Sequence, residues 1–479
     1  MLNHLNGRSR PILLGLTLFI GLAPACTPAD RDSNSLADGG GDSGVPDAGS
    51  DAGVADAGSD AGVADAGSDV GVTDAGSDAG TSLAALAAGS GFLAANWSFP
   101  QVGASSPMSF SVVWSLPGGN TNTVNLPANV RKYEIESMAG VVVPYGSSVT
   151  VTITANYPNG IASKAVTSRE TMLAAAPPNA LNTGPRLTNL TVNPVNSNLN
   201  GYNQTADGSG IVRYTGVKFT GHPQINGSQG GPTQINGYVF TDCEFTFGIY
   251  TEGSVLGAPG IVFDHCVAGD ISTISNPRGS AVRSNFIGVG GSPLQLFRHD
   301  PWGAQGATLT STPWSFTDCA FKCPYPTPTN GAHFEAVHVR GAKDVTFTRC
   351  SYDLGWNRLP DGSLPAITSN IYIEGGYGGN DNILFSSGWH YGFGPYYGLV
   401  VEGTNVSIIN SRMSRNGGFN DLSHDGSNKP GPSVSIQDNG GQVTSGLSLL
   451  GNVWDVDGTS LGAAFLARPS GNNGMITWY

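Results

Sequence analysis

The stretch from His333 to Asp353, HFEAVHVRGAKDVTFTRCSYD, brings two histidines, a glutamate, an arginine and a cysteine close together. Imidazole, carboxylate and thiolate are the donor types of a zinc site. Their spacing argues against one. Side chains on a strand alternate between its faces, so His333 and Glu335 share a face with Val337 while His338 points the other way. A zinc-protease pair needs a helix, where residues i and i+4 share a face. No Cys/His cluster with ligand spacing occurs elsewhere, so no metal site is expected from these residues. Other polar groups are Arg298, His299 and Asp300 in FRHDPW, and Asp421, His424 and Asp425 in GGFNDLSHDGSNKPGP. The aromatic run WHYGFGPYY (Trp389 to Tyr397) would suit either the wall of a groove or packing against a loop.

Repetition reveals the elements that would hold these residues. From about residue 185 one phrase keeps returning. Its copies are Phe240-Thr-Asp-Cys243-Glu-Phe245, Phe263-Asp-His-Cys266 and Phe316-Thr-Asp-Cys319-Ala-Phe321. It returns as Phe347-Thr-Arg-Cys350-Ser-Tyr352, Ile408-Ile-Asn-Ser411-Arg-Met413 and Leu449-Leu-Gly-Asn452-Val-Trp454. A fixed phrase at irregular intervals predicts a solenoid, in which each copy is one rung and loops of any length bulge between rungs. Rungs stack about 4.8 Å apart, so equivalent side chains pile into ladders. Cys243, Cys266, Cys319 and Cys350 should then share an internal ladder as buried thiols, with a Cys243–Cys266 disulfide between neighbouring rungs as the alternative. Cys319 and Cys323 lie too close along an extended strand to pair without a tight turn.

A second phrase precedes the first. Its copies are Ile249-Tyr-Thr-Glu252, Val337-His-Val-Arg340, Ile371-Tyr-Ile-Glu374 and Leu399-Val-Val-Glu402. Looser copies are Leu294-Gln-Leu-Phe297 and Val434-Ser-Ile-Gln437. Alternation turns every second residue outward. One outward file is then Glu252, Phe297, Arg340, Glu374, Glu402 and Gln437. Its neighbour is Tyr250, Gln295, His338, Tyr372, Val400 and Ser435.

Over roughly residues 185 to 475 this pattern resembles the right-handed parallel β-helix of the pectate-lyase-like superfamily. A β-propeller is the alternative fold. The resemblance implies a polysaccharide lying along an outward sheet face. Lyases of that superfamily use an arginine or lysine as base, commonly with calcium held by acidic residues, whereas its hydrolases use carboxylate pairs. On that footing Arg340 would be the base, with Glu374 and Glu402 as Ca2+ ligands or as an acid pair. Tyr250, Gln295, His338 and Tyr372 would bind substrate by ring stacking and hydrogen bonds. The polygalacturonase runs Asn-Thr-Asp, Asp-Asp and Gly-His-Gly are absent, which argues against that hydrolase family. A plainer reading is a charge ladder that keeps an exposed sheet soluble and in register.

The rest of the chain frames this domain. Of 479 residues, 69 are glycine and only 12% are charged, and no segment carries a sustained helical period, so the fold should be all-β. Arg8 and Arg10 precede the apolar run PILLGLTLFIGLAPA, which is short for a membrane span and stops at Cys26. LAPAC resembles a bacterial lipoprotein signal whose cysteine is lipidated. A plain secretory signal cut nearby is the alternative, and either would export the chain. Residues 27–88 hold a nine-residue Asp/Ala/Gly repeat with too little apolar area to fold, so a disordered tether is expected. Twelve aspartates in that stretch account for most of the net charge of −13. The remainder is nearly neutral and carries no basic footprint for nucleic acid.

Residues 89–180 alternate apolar and polar in SFSVVWSLPGG and VTVTITANYPNGIASKAVTS, with VRKYEIES between them. They resemble a fibronectin type III β-sandwich, with Trp114 on the second strand and Val151, Ile153 and Ala155 on the penultimate one. The expected order is therefore signal (1–26), tether (27–88), sandwich (89–180) and parallel β-helix (185–479). The expected function is that of a monomeric cell-surface lipoprotein whose β-helix recognises a polysaccharide and cleaves it. The alternative is a non-catalytic adhesion or surface-structure protein that binds a glycan or protein through the same face.

Overall fold

The computed structural model describes residues 82–119, 121–136, 143–195, 199, 206–226, 235–252, 259–269, 271–274, 278–287, 295–300, 313–322, 335–354, 369–374, 379–391, 399–413, 434–436, 444–455, 457–461 and 476–477. Among these residues the protein is all-β. Cys26, Cys323, Gln437 and the segment Gly417–Pro432 lie outside them. The first strands are β1 (Leu83–Gly89), β2 (Phe92–Ser98), β3 (Ser109–Ser115), β4 (Thr121–Pro127), β5 (Lys132–Glu136), β6 (Ser148–Asn156) and β7 (Lys164–Thr171). They form two antiparallel sheets, β1-β2-β5 and β4-β3-β6-β7. Period-two alternation turns Phe110, Val112 and Trp114 of β3, and Val149, Val151 and Ile153 of β6, into the space between the sheets. Two sequence expectations need correction. Trp114 stands on the third strand, and the first strand begins at Leu83, inside the stretch expected to be tether. The alanine-rich LAALAAG carries little strand signal of its own. It pairs along its whole length with Phe92–Ser98, and that pairing makes it a strand.

The remaining strands build a parallel β-helix of three sheets, with ten, ten and eight strands. Each rung runs through a strand of the first sheet, a corner, a strand of the second, a loop and a strand of the third. Register in the first sheet aligns Tyr214, Phe240, Phe263, Ala281, Phe316, Phe347, Phe385 and Ile408 in one inward file. Ring centroids lie 5.5 Å apart for Phe240–Phe263, 4.7 Å for Phe316–Phe347 and 4.5 Å for Phe347–Phe385. At the corner, Cys243, Cys266, Cys319 and Cys350 are fully buried free thiols, as the phrase predicts. Ser284 and Gly388 fill the same place in two further rungs.

In the second sheet the inward file is Phe219, Phe245, Ala268, Phe286, Phe321, Tyr352, His390 and Met413. His390 thus takes an aromatic position, stacked 4.8 Å from Tyr352, with Nδ1 at 3.1 Å from Asn370 Oδ1 and Nε2 buried without a partner. Burial pushes its pKa from 6.5 down to about 3. The unfolded chain therefore binds a proton below about 6.5 that the folded chain refuses until about 3, and stability should fall as pH drops through that window. The slope approaches roughly 1.4 kcal/mol per pH unit. His390→Phe keeps the ring stack and removes the titration. The acid limb of its melting temperature should be flatter than that of the parent. An unchanged limb would show that other groups set acid stability.

The residue just before each small corner residue adopts a left-handed backbone. Asp242, His265, Arg283, Asp318, Arg349, Ser387 and Asn410 have φ between 46° and 56°, continued by Gly216 and Gly451 at either end. This file of corners is where the sandwich docks, and both parts lie in one compact unit, Asp74–Tyr479. His265 Nε2 lies 2.9 Å from Glu134 Oε1 of β5, and its Nδ1 2.7 Å from Asp264. The Arg283 guanidinium bonds both Glu134 and Glu136 and lies 4.1 Å over the Phe92 ring. Arg186, on the connecting segment, grips Asp242 with two bonds of 3.0 and 2.8 Å.

Candidate functional site

The third sheet carries the candidate site on its strands Gln295–Asp300, Glu335–Arg340, Ser369–Glu374 and Leu399–Val401. Val337, Val339, Ile371 and Ile373 are fully buried on the inward face. Their alternates, His338, Arg340, Tyr372 and Glu374, therefore share the opposite face. Register sets His338 beside Tyr372 and Arg340 beside Glu374. Four of the residues singled out in the sequence thus meet. His338 Nε2 lies 3.0 Å from Glu374 Oε2, and Arg340 Nε lies 3.7 Å from the same oxygen. The Tyr372 ring meets the imidazole edge-on at 5.2 Å. One carboxylate oxygen therefore faces a guanidinium and an imidazole at once.

This face is not the open sheet the alternation suggested. His338 is 5% exposed and Tyr372 9%, while the side chains of Arg340 and Glu374 are 29% and 28% exposed. The site is half-sealed, with its charged end nearer water and its aromatic end covered. His338 Nδ1 is buried and has no hydrogen-bond partner.

Three expected members of the site lie elsewhere. Glu402 is fully buried. The outward alternation holds only along the strand, which ends at Val401, and the chain turns at Glu402. There the Glu402 carbonyl accepts a 2.9 Å bond from Asn380 Nδ2, which also bonds the Glu374 carbonyl at 2.8 Å. Asn380 Oδ1 accepts from Ala342 N, so one asparagine ties three rungs together. Glu402 is thus shut away from water, whereas Glu374 is partly exposed. Among the described residues no group of three or more His, Cys, Asp or Glu side chains could hold a metal ion.

Gln295 pairs with Glu335 rather than His338, because the strand Gln295–Asp300 sits further along than the sequence alignment placed it. Its Phe297 pairs with Val337, not with Arg340. Arg298 takes the place beside His338. Continuing that register puts Asp300 beside Arg340. Part of FRHDPW is therefore strand. Tyr250 pairs with Gln224 and Ser272 and stands three rungs from His338, roughly 14 Å away. The intervening strand Ile271–Ile274 carries no copy of the second phrase, and so the alignment skipped a rung. Trp389 and His390, at the start of the aromatic run, lie on a strand of the second sheet and are buried.

Comparison with known proteins leaves this reading to stand on geometry. No family model matches the chain, and no curated protein does. Among solved structures it is similar to pectate lyase PelI from Erwinia chrysanthemi in complex with tetragalacturonic acid, at 9% identity and a TM-score of 0.15. A second structure of the same lyase matches at 11% identity and a TM-score of 0.16. Each match covers 77% of this chain and 85% of the other. The β-helix itself is established by the strand register.

Proposed function

We propose that this protein is an exported, surface-anchored β-helix protein that recognises a polysaccharide on the outer face of its third sheet. The single observation that carries the reading is the convergence of Arg340 and His338 on Glu374, with Tyr372 alongside, on consecutive rungs. A fixed guanidinium, a carboxylate and an aromatic edge are the groups that grip sugar hydroxyls and sugar carboxylates. Cys26 would be the lipidated anchor and residues 27–88 the tether. The fibronectin type III-like sandwich would be the spacer that presents the β-helix. The burial of Glu402 favours a second reading, in which the face binds glycan without cleaving it.

Binding decides whether this face is the site. Arg340→Ala, a half-buried position outside the hydrophobic ladders, should weaken retention on acidic polysaccharides in affinity electrophoresis by about 10- to 100-fold, as loss of a charged hydrogen-bonding group does. Runs with and without calcium would show whether the ion contributes. Equal retention of parent and variant on every polysaccharide that binds would place the site elsewhere.

A further inference from the structure

We propose that the joint between the sandwich and the β-helix is a proton-operated clasp, closed by the His265 imidazolium and loosened as the surroundings turn alkaline. The inference is independent of the polysaccharide reading. The His265 side chain is 6% exposed, and both of its ring nitrogens face carboxylate oxygens, Nδ1 at 2.7 Å from Asp264 and Nε2 at 2.9 Å from Glu134. An ionised carboxylate only accepts hydrogen bonds, whereas a neutral imidazole has one N–H to give. Two donated bonds therefore require the doubly protonated ring. Charge balance requires the same. Facing one another across the joint are Lys132, Glu134 and Glu136 of β5, Arg186 of the connecting segment, and Asp242, Asp264, His265 and Arg283 of the β-helix. With an imidazolium, the cations Lys132, Arg186, His265 and Arg283 match the four carboxylates. Without it, a lone pair is left pointing at a carboxylate where little water can intervene.

Linkage fixes the direction of the response. Burial disfavours the imidazolium, but the bonds to Asp264 and Glu134 outweigh it and raise its pKa above 6.5, the ordinary value towards which it returns once Glu134 lifts away. From about 6.5 up to the docked pKa, the docked state holds one proton more than the open one. The open fraction therefore grows by up to tenfold per pH unit across that window. Lys132 works the other way. Its buried ammonium donates to the Thr183 carbonyl, and burial pushes its pKa from 10.5 to about 8. Between about 8 and 10.5 the docked state holds one proton fewer, so alkali tightens the joint again. The joint is thus tightest in mild acid and loosest at about pH 8. Contacts that tie the connecting segment to the β-helix do not titrate in this range. Gly184 N donates to the Arg283 carbonyl at 2.8 Å, and Ser351 Oγ to the Pro178 carbonyl at 2.5 Å. The sandwich would therefore lift from a segment that stays in place.

Hydrogen exchange of the full chain reads this opening. The Arg131 amide donates to the Arg186 carbonyl at 2.9 Å and the Thr188 amide to the Asn129 carbonyl at 2.7 Å, and both bonds break when the sandwich lifts. Their protection, corrected for the intrinsic pH dependence of exchange, should fall by up to tenfold per pH unit above about 6.5 and recover above about 8. Amides of the strand Lys343–Thr348 in the stack should keep theirs throughout. His265→Gln, which cannot gain or lose the proton, should abolish the fall. A pH-independent protection ratio in the parent overturns the proposal, and so does a fall that survives in His265→Gln. Should His265→Gln not fold, nitrogen NMR of the histidine-labelled parent decides. An imidazolium at about pH 6.5 supports the clasp, and a neutral ring there overturns it.

Discussion

Replacing Glu134 with alanine is expected to cost about 3 kcal/mol of folding free energy, which would make it one of the most damaging single changes in the chain. The Glu134 side chain is only 8% exposed and binds two cations, His265 and Arg283. Burial by itself would raise its pKa, but the His265 and Arg283 bonds outweigh burial and hold it below 4.5. Burial likewise disfavours a charged His265, and the bonds to Asp264 and Glu134 outweigh it and raise its pKa above 6.5. Alanine would leave the guanidinium and imidazole half-compensated beneath the docked sheet. Breaking a buried pair by deleting one member usually costs more than the pair was worth. A double change, Glu134→Ala with Arg283→Met, should therefore cost less than Glu134→Ala and Arg283→Met added together. Denaturant titration of the four proteins measures this, and strict additivity would mean that the two residues do not interact. The pH dependence has a definite sign. The contribution of Glu134, with its depressed pKa, is lost as pH falls through its folded value. That of His265, with its raised pKa, is lost as pH rises through its own. Both are fully present between about 4.5 and 6.5, the unfolded values.

Phe347→Ala should cost about 3 to 5 kcal/mol. The ring is 1% exposed, sandwiched between Phe316 and Phe385, and met edge-on by Phe321 and Tyr352 at 6.0 and 6.3 Å. Its backbone is fixed on both sides by in-register parallel pairing, so the neighbours cannot collapse into the void. Thr346, the next residue on the same strand, is half-buried on the other face, and Thr346→Ala should change stability by less than about 1 kcal/mol. Unfolding curves for the two variants compare inward and outward positions directly. A loss below about 1 kcal/mol for Phe347→Ala would mean that the aromatic file is not under tension to stay filled. A rung coupled only to its neighbours also predicts a broader transition for this variant, because the stack can open in the middle.

The rungs were legible because large inward side chains recur at fixed distance from a small one, and a void or an oversized residue in a ladder is costly in every rung. The phrase around Cys319 and Cys350 therefore gave the right register across the first two sheets. The third sheet was harder. Its strand Ile271–Ile274 lacks the second phrase, and its strand Gln295–Asp300 slid relative to the alignment, so Tyr250 and Gln295 were placed in a file that neither joins. Glu402 follows the last residue of its strand and is buried, and alternation alone does not record that burial. The corner file went unread although its signal was present. The position before each small residue holds Asp242, His265, Asp318 and Asn410, residues that tolerate a left-handed backbone better than most. That the same file would take up Glu134 and Glu136 of the sandwich depends on distant chain segments meeting, which no local pattern records.

The docking contacts also bear on how such a chain can change over generations. The sandwich and the segment that follows it hold the turns from Asp242 through His265 and Arg283 to Ser351, while the corners at Ser387 and Asn410 repeat the same bend further along. Whole turns could be duplicated or lost towards the far end without disturbing the junction, since each new turn needs only a matching neighbour to lie on. The molecule's length is therefore open to selection in steps of a single turn, whereas the joint between its two parts is not.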